Sequence, residues 1–286
     1  MQTTPAGDSL PRRGLHAPSD SGEAQMTRPP AADPWILRRP PNPGARLRLF
    51  CFPYAAGGAS VFRTWQQSLP PEVDVCPVQL PGRESRLREP PFDRLAPLVT
   101  ALAGALEPYT DLPFAFYGYS NGALVSFELT RELRRRGMPQ PVHIFAAACP
   151  APHLPDRDPP VHDMPDDELI AEMRRLNGTP DEILQNDELM GLLIPLMRAD
   201  AAIHETYVHS EEEPLDVPIT ATGGLSDPKA QREDMEAWRI HTRAEFSVRM
   251  VQGDHFFIHS AQATVLRDLA QDLHAVLRRV REPQRT

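Results

Sequence analysis

The sequence predicts an α/β fold: a mostly parallel sheet flanked by helices and interrupted by one helical insertion. Three observations lead there. Short apolar runs bounded by Gly, Pro or Asp recur from Arg46 onward, helical patterns alternate with them, and one acidic stretch breaks the alternation.

The expected strands are residues 46–52, 73–79, 113–117, 142–149, 217–222 and 246–251. These runs carry polar residues on neither face, which suits strands buried on both sides, as in a parallel sheet. Residues 95–106, 123–136 and 261–280 space their apolar residues as helices do. From about 156 to 216 no strand pattern appears. Helical segments at 166–176, 180–184 and 187–207 mark this stretch as a helical insertion on the sheet.

Residues 1–45 hold nine of the 33 prolines and almost no apolar periodicity, so they are expected to form a disordered N-terminal extension. The folded domain is expected over 46–286.

The chain has 286 residues, with 39 acidic against 30 basic and a net charge of −9, which argues against a general nucleic-acid binder. No apolar stretch approaches the ~20 residues of a membrane span, and the start lacks a secretory pattern. A cytoplasmic protein is the reading. Cys51, Cys76 and Cys149 lie in apolar runs without metal-ligand spacing and are expected to be buried thiols.

The chemistry centres on Gly118-Tyr119-Ser120-Asn121-Gly122, between an expected strand and an expected helix. Such a nucleophile elbow presents a serine at the tip of a tight strand-to-helix turn. A serine hydroxyl needs a base and an acid to orient that base, in the order Ser, acid, His. His255 follows the last strand through a Gly253-Asp254 turn and is the candidate base. Asp227, in the loop after strand 217–222, is the candidate acid; helix N-capping is its alternative role. Asp254 reads as turn-forming, and His204, His209, His241 and His259 as satisfied or surface histidines. The oxyanion of a tetrahedral intermediate needs backbone donors. Asn121 supplies one, and the small-residue loop Pro53-Tyr54-Ala55-Ala56-Gly57-Gly58 offers a second. That loop lacks a P-loop lysine and the spacing of a dinucleotide fingerprint.

Cys51 to Ala55, Gln79-Leu80-Pro81-Gly82-Arg83-Glu84-Ser85-Arg86, the elbow, Leu189 to Tyr207, and Gly253 to Ile258 together resemble a type II thioesterase of polyketide or nonribosomal peptide biosynthesis. The resemblance runs from about Arg46 to Val280 and implies an α/β-hydrolase fold. It implies hydrolysis of acyl thioesters on the phosphopantetheine arm of an acyl or peptidyl carrier protein, without cofactor or metal, and makes the insertion at about 156–216 the lid that shapes the acyl chamber; a monomer is expected. Ser120 matches the nucleophile, Asp227 the acid, His255 the base, and Ala55 and Asn121 the oxyanion positions. Tyr119 and Asn121 stand where the family more often has His and Met, and Ala56 where it usually has Gly. The first departure is expected to alter the pocket beside the serine.

A general carboxylesterase, a cyclising enzyme and a non-catalytic carrier-binding module are the competing readings. Residues 151–216 carry 17 acidic against 4 basic groups. An acidic carrier is therefore expected to dock on arginines of the body, with Glu211, Glu212 and Glu213 on a surface that keeps it off.

Overall fold

Six parallel strands form one sheet in the order β2-β1-β3-β4-β5-β6 in the computed structural model, which describes residues 34–37, 42–157, 159–175 and 178–281. They are β1 (Leu47–Phe52), β2 (Val73–Pro77), β3 (Phe114–Tyr119), β4 (Ile144–Ala147), β5 (Ile219–Gly224) and β6 (Phe246–Val251). Register runs continuously across the sheet, for example Phe52↔Gly118, Tyr119↔Ala147, Ala147↔Thr222 and Gly224↔Val251. Parallel neighbours require crossovers. Helix α1 (Leu95–Leu106) links β2 to β3, and α2 (Asn121–Arg135) links β3 to β4.

The expected insertion forms between β4 and β5 as α3 (Asp166–Arg175), α4 (Asp181–Leu184) and α5 (Asp187–Glu205). Then α6 (Arg232–Glu236) precedes β6, and α7 (Phe257–Ser260) and α8 (Gln262–Arg281) follow it.

Burial explains why these segments hold together. On one face of the sheet Phe50, Phe52 and Phe116 pack with Leu98, Leu102 and Leu106 of α1 and Phe127 of α2. On the other, Leu49, Tyr117 and Phe145 meet Leu269, Leu273 and Val276 of α8, together with Phe62 and Trp65. Each such side chain contributes about 1.5–3 kcal/mol on leaving water. Cys51, Cys76 and Cys149 lie in these cores as free thiols, and burial pushes Cys149 up to about 12.

Two expectations change. Strand β6 was read as buried on both faces, yet it is the sheet edge and buries only Val251 fully. Of the extension expected over 1–45, residues 1–33 and 38–41 lie outside the described residues. Within it, Ile36 is buried and bridges Val78 antiparallel, while Arg86 stacks on Trp35 with 4.1 Å between guanidinium and ring centre. Pattern reading passed over these residues because a three-residue contact has no period.

Candidate active site

The carboxyl ends of parallel strands are where open α/β sheets place their chemistry. Here β1, β3, β5 and β6 end in the Pro53–Gly58 loop, Ser120, the Asp227 loop and the His255 loop, all on that one edge.

Ser120 has φ +53° and ψ −120°, a conformation that costs a non-glycine residue of order 1–3 kcal/mol. Its N–H bonds the Ala147 carbonyl at 2.8 Å and its carbonyl accepts from Ala123 at 2.8 Å, so both sides of the turn are held. The flanking glycines are steric necessities. A Cβ on Gly118 would lie 2.2 Å from the Gly122 carbonyl oxygen, and one on Gly122 would lie 2.2 Å from that of Phe52. The start of α2 thus presses directly on the end of β1.

His255 Nε2 lies 3.2 Å from Ser120 Oγ, and its Nδ1 lies 2.9 Å from Asp227 Oδ2. Asp227 is buried, and its other carboxylate oxygen accepts from the Lys229 N–H at 2.8 Å. It does not cap a helix: α6 begins five residues later, with Gln231 as its cap. Asp254 accepts from the Phe256 N–H and shapes the turn, as read from sequence. The structure therefore brings Ser120, His255 and Asp227 into one hydrogen-bonded row, in reach for general-base catalysis.

Ala55 and Asn121, the expected oxyanion donors, lie on neighbouring elements. Asn121 opens α2, in the first turn, where N–H groups lack intrahelical acceptors. Ala55 sits in a turn closed by the Gly57 N–H to the Tyr54 carbonyl at 2.9 Å. The 79–86 motif braces this loop: Gln79 Oε1 accepts from the Ala59 N–H, and Arg83 donates to the Gly57 carbonyl.

Several side chains at the site had no clear signal in the sequence. Tyr119 does not face a pocket beside the serine, as expected from its departure from the family pattern. It is fully buried; its hydroxyl donates to the His255 carbonyl at 2.7 Å and accepts from the Ile258 N–H at 3.2 Å, so it holds the histidine loop. Burial raises its pKa far above that of a free tyrosine. His259 is exposed, as read from sequence, and bonds the Tyr54 hydroxyl through Nε2 at 2.8 Å. His204, read as satisfied, has a buried Nδ1 with no hydrogen-bond partner among the described residues, and burial lowers its pKa. Asp200, read only as one of many lid acids, is buried and accepts from the Ala56 N–H at 2.6 Å.

The acidic 211–213 run also differs from expectation. Glu212 pairs with Arg131, Arg134 and Arg135 of α2 at 2.7–2.9 Å, and Glu213 pairs with Arg243. The C-terminal stem of the lid is thus tied to the body, and Glu212 and Glu213 are no free repelling surface. The basic end of α2 is the other half of that tie.

A thioesterase-domain family model matches residues 47–273, nearly all of the described fold. The chain belongs to the thioesterase family. This thioesterase is 46% identical to linear gramicidin dehydrogenase LgrE of Brevibacillus parabrevis, over 85% of its own length and 94% of that protein. The dehydrogenase in that name has no counterpart after β1, where a dinucleotide fingerprint would lie and Pro53–Gly58 instead meets the elbow. Among solved structures, the thioesterase resembles RedJ, a thioesterase from the prodiginine biosynthetic pathway of Streptomyces coelicolor. The two are 40% identical with a TM-score of 0.77, over 87% of this chain and 98% of that one. The type II thioesterase BorB from the borrelidin biosynthetic cluster is 33% identical, covering 84% and 97%, with a TM-score of 0.76.

Proposed function

We propose that this thioesterase is a type II enzyme that hydrolyses acyl thioesters from the phosphopantetheine arm of acyl or peptidyl carrier proteins in polyketide or nonribosomal peptide biosynthesis. The row Asp227–His255–Ser120 is the observation that carries the reading. Its membership of the thioesterase family and its likeness to BorB favour a carrier-bound thioester over a simple ester.

In this mechanism His255 Nε2 takes the Ser120 proton as Oγ bonds to the thioester carbonyl carbon. Asp227 keeps Nδ1 protonated and stabilises the imidazolium. The N–H groups of Ala55 and Asn121 receive the oxyanion. The carbon–sulfur bond then breaks, and the pantetheine sulfur leaves with the proton from His255. Water repeats the sequence: His255 takes its proton, its oxygen bonds to the acyl carbon, and Ser120 departs with that proton, releasing a carboxylic acid. No step draws on a cofactor or metal.

No helix among the described residues is long and apolar enough to cross a membrane. We place the enzyme in the cytoplasm as a monomer, with its three thiols reduced. The test is thiol release from acyl-carrier protein by the wild type and Ser120→Ala. Ser120→Ala is expected to lose about a thousandfold or more in kcat. Equal release by both proteins, or a preference of the wild type for an aryl ester over the acyl-carrier substrate, would defeat the proposal.

A further inference from the structure

The most heavily braced feature of the site is not one of the three residues in the Ser120 row. Asp200 projects from lid helix α5, and its Oδ2 accepts both from the Ala56 N–H at 2.6 Å and from Arg83 Nη1 at 2.7 Å. Its Oδ1 accepts from Arg83 Nη2 at 2.9 Å, completing a two-pronged pair whose side chains are 4% and 3% exposed. Arg83 also donates to the carbonyls of Gly57 and Pro81. The backbone carbonyl of Asp200 accepts from the Asn121 side chain at 2.6 Å. One lid residue therefore grips both walls on which the oxyanion donors stand.

Stability alone is a poor reason for such a pair, because desolvating two charges offsets most of their attraction. Geometry offers a better one. Ala56 has φ +59°, left-handed backbone that a residue with a Cβ does not hold unaided, and it follows Ala55 directly. Fixing the Ala56 N–H fixes the peptide after Ala55 and limits the directions its own N–H can take. Arg83 adds a second effect: without it, the Asp200 carboxylate would set a bare negative charge beside the developing oxyanion.

We propose that Asp200 and Arg83 are positioning residues for the oxyanion loop, so that the hole is complete only while α5 is seated on the body. This rests on the oxyanion roles given above to Ala55 and Asn121. Two double variants separate positioning from charge burial. Arg83→Met with Asp200→Leu removes both charges and the acceptor for Ala56. Arg83→Met with Asp200→Asn removes the charges but keeps an amide oxygen for that N–H.

Rates are measured per titrated active site with an acyl-pantetheine thioester, alongside the rate of inactivation by an alkyl fluorophosphonate. The phosphoryl oxygen of that reagent occupies the same hole. The Leu variant is expected to lose about 10- to 100-fold in kcat with KM within about twofold, and to be inactivated more slowly in proportion. The Asn variant is expected to recover to within about threefold of wild type. If both double variants match the wild type, or both fall equally, the proposal is overturned. Ser120→Ala, run in parallel, separates the readings: should it retain turnover, the serine mechanism fails whatever the doubles show.

Discussion

The body and the lid of this thioesterase are held by different forces. The body packs apolar side chains on both faces of a six-stranded sheet, with Leu47, Leu102 and Phe116 wholly inaccessible. Among the described residues the lid has a small apolar cluster of its own, Leu169, Met173, Leu184 and Met190, with Leu193, Ile194 and Met197 packed against it. Polar ties carry much of its attachment: Arg83–Asp200, Arg131–Glu212, Arg157–Asp234 and Lys229–Glu172. Burial is non-directional, whereas an ion pair with matched forks specifies a position. The body supplies stability, and the lid supplies an exact seat over the site.

Truncating each core is expected to have different consequences in body and lid. Leu102→Ala in α1 is expected to cost about 2–5 kcal/mol of global stability in urea unfolding. Leu184→Ala in the lid is expected to cost clearly less and to raise hydrogen exchange only across 166–205. Equal global losses would mean that body and lid share one core.

Acid is expected to act on buried histidines of both the body and the lid stem. Burial, chiefly, lowers His143 in the body to about 3, and Arg279 and Arg249 add to the shift. His241 is also lowered to about 3, by burial first and then by His153, His209 and Arg131. Its ring meets His153 Nδ1 at 2.9 Å from the incoming lid stem and lies 5.2 Å from the His209 ring of the outgoing stem. Both histidines stay neutral when folded and gain a proton when unfolded, so stability is full above about pH 6.5 and falls as pH drops toward 3. The slope is about 1.4 kcal/mol per pH unit for each, well below pH 6.5. Urea unfolding at pH 7.5 and 5.0 should show this loss, with His143→Gln and His241→Gln each removing part of the pH dependence, because His153, His204, His209 and His259 are also lowered by burial and share in it. A pH-independent stability would contradict the buried-neutral assignment.

The smallest effect concerns Ala56. Ala56→Gly relieves a left-handed alanine and is expected to stabilise by about 1 kcal/mol, read as a rise in urea midpoint. A destabilised variant would mean that the Ala56 side chain contributes packing beyond its backbone strain.

Much of this was legible in the sequence, and the reasons differ by residue. Helix α1 appears where its apolar spacing put it, because Leu95, Leu98, Leu102 and Leu106 face a core. Ser120 and His255 stood out because strand ends and glycine turns are local signals. Tyr119, Asp200 and Arg83 did not, since each acts on a partner far along the chain: 136 residues away for Tyr119 and 117 for the Arg83–Asp200 pair. Asp200 did leave a trace. It lies four residues after Leu196 and three before Ile203, on the buried stripe of α5, and a carboxylate on an apolar stripe calls for a buried partner. The run at 211–213 misled for the same reason, because a count of acids says nothing about the arginines that meet them.

In the proposed mechanism Ser120 carries the acyl group between carrier and water. Rapid mixing with acyl-carrier protein, acid quench and mass analysis of the peptide containing Ser120 tests it most directly. An acyl adduct on Ser120 is expected within the first turnover, lost in Ser120→Ala together with thiol release. Thiol release at the wild-type rate from Ser120→Ala, or an adduct on another residue, would contradict it.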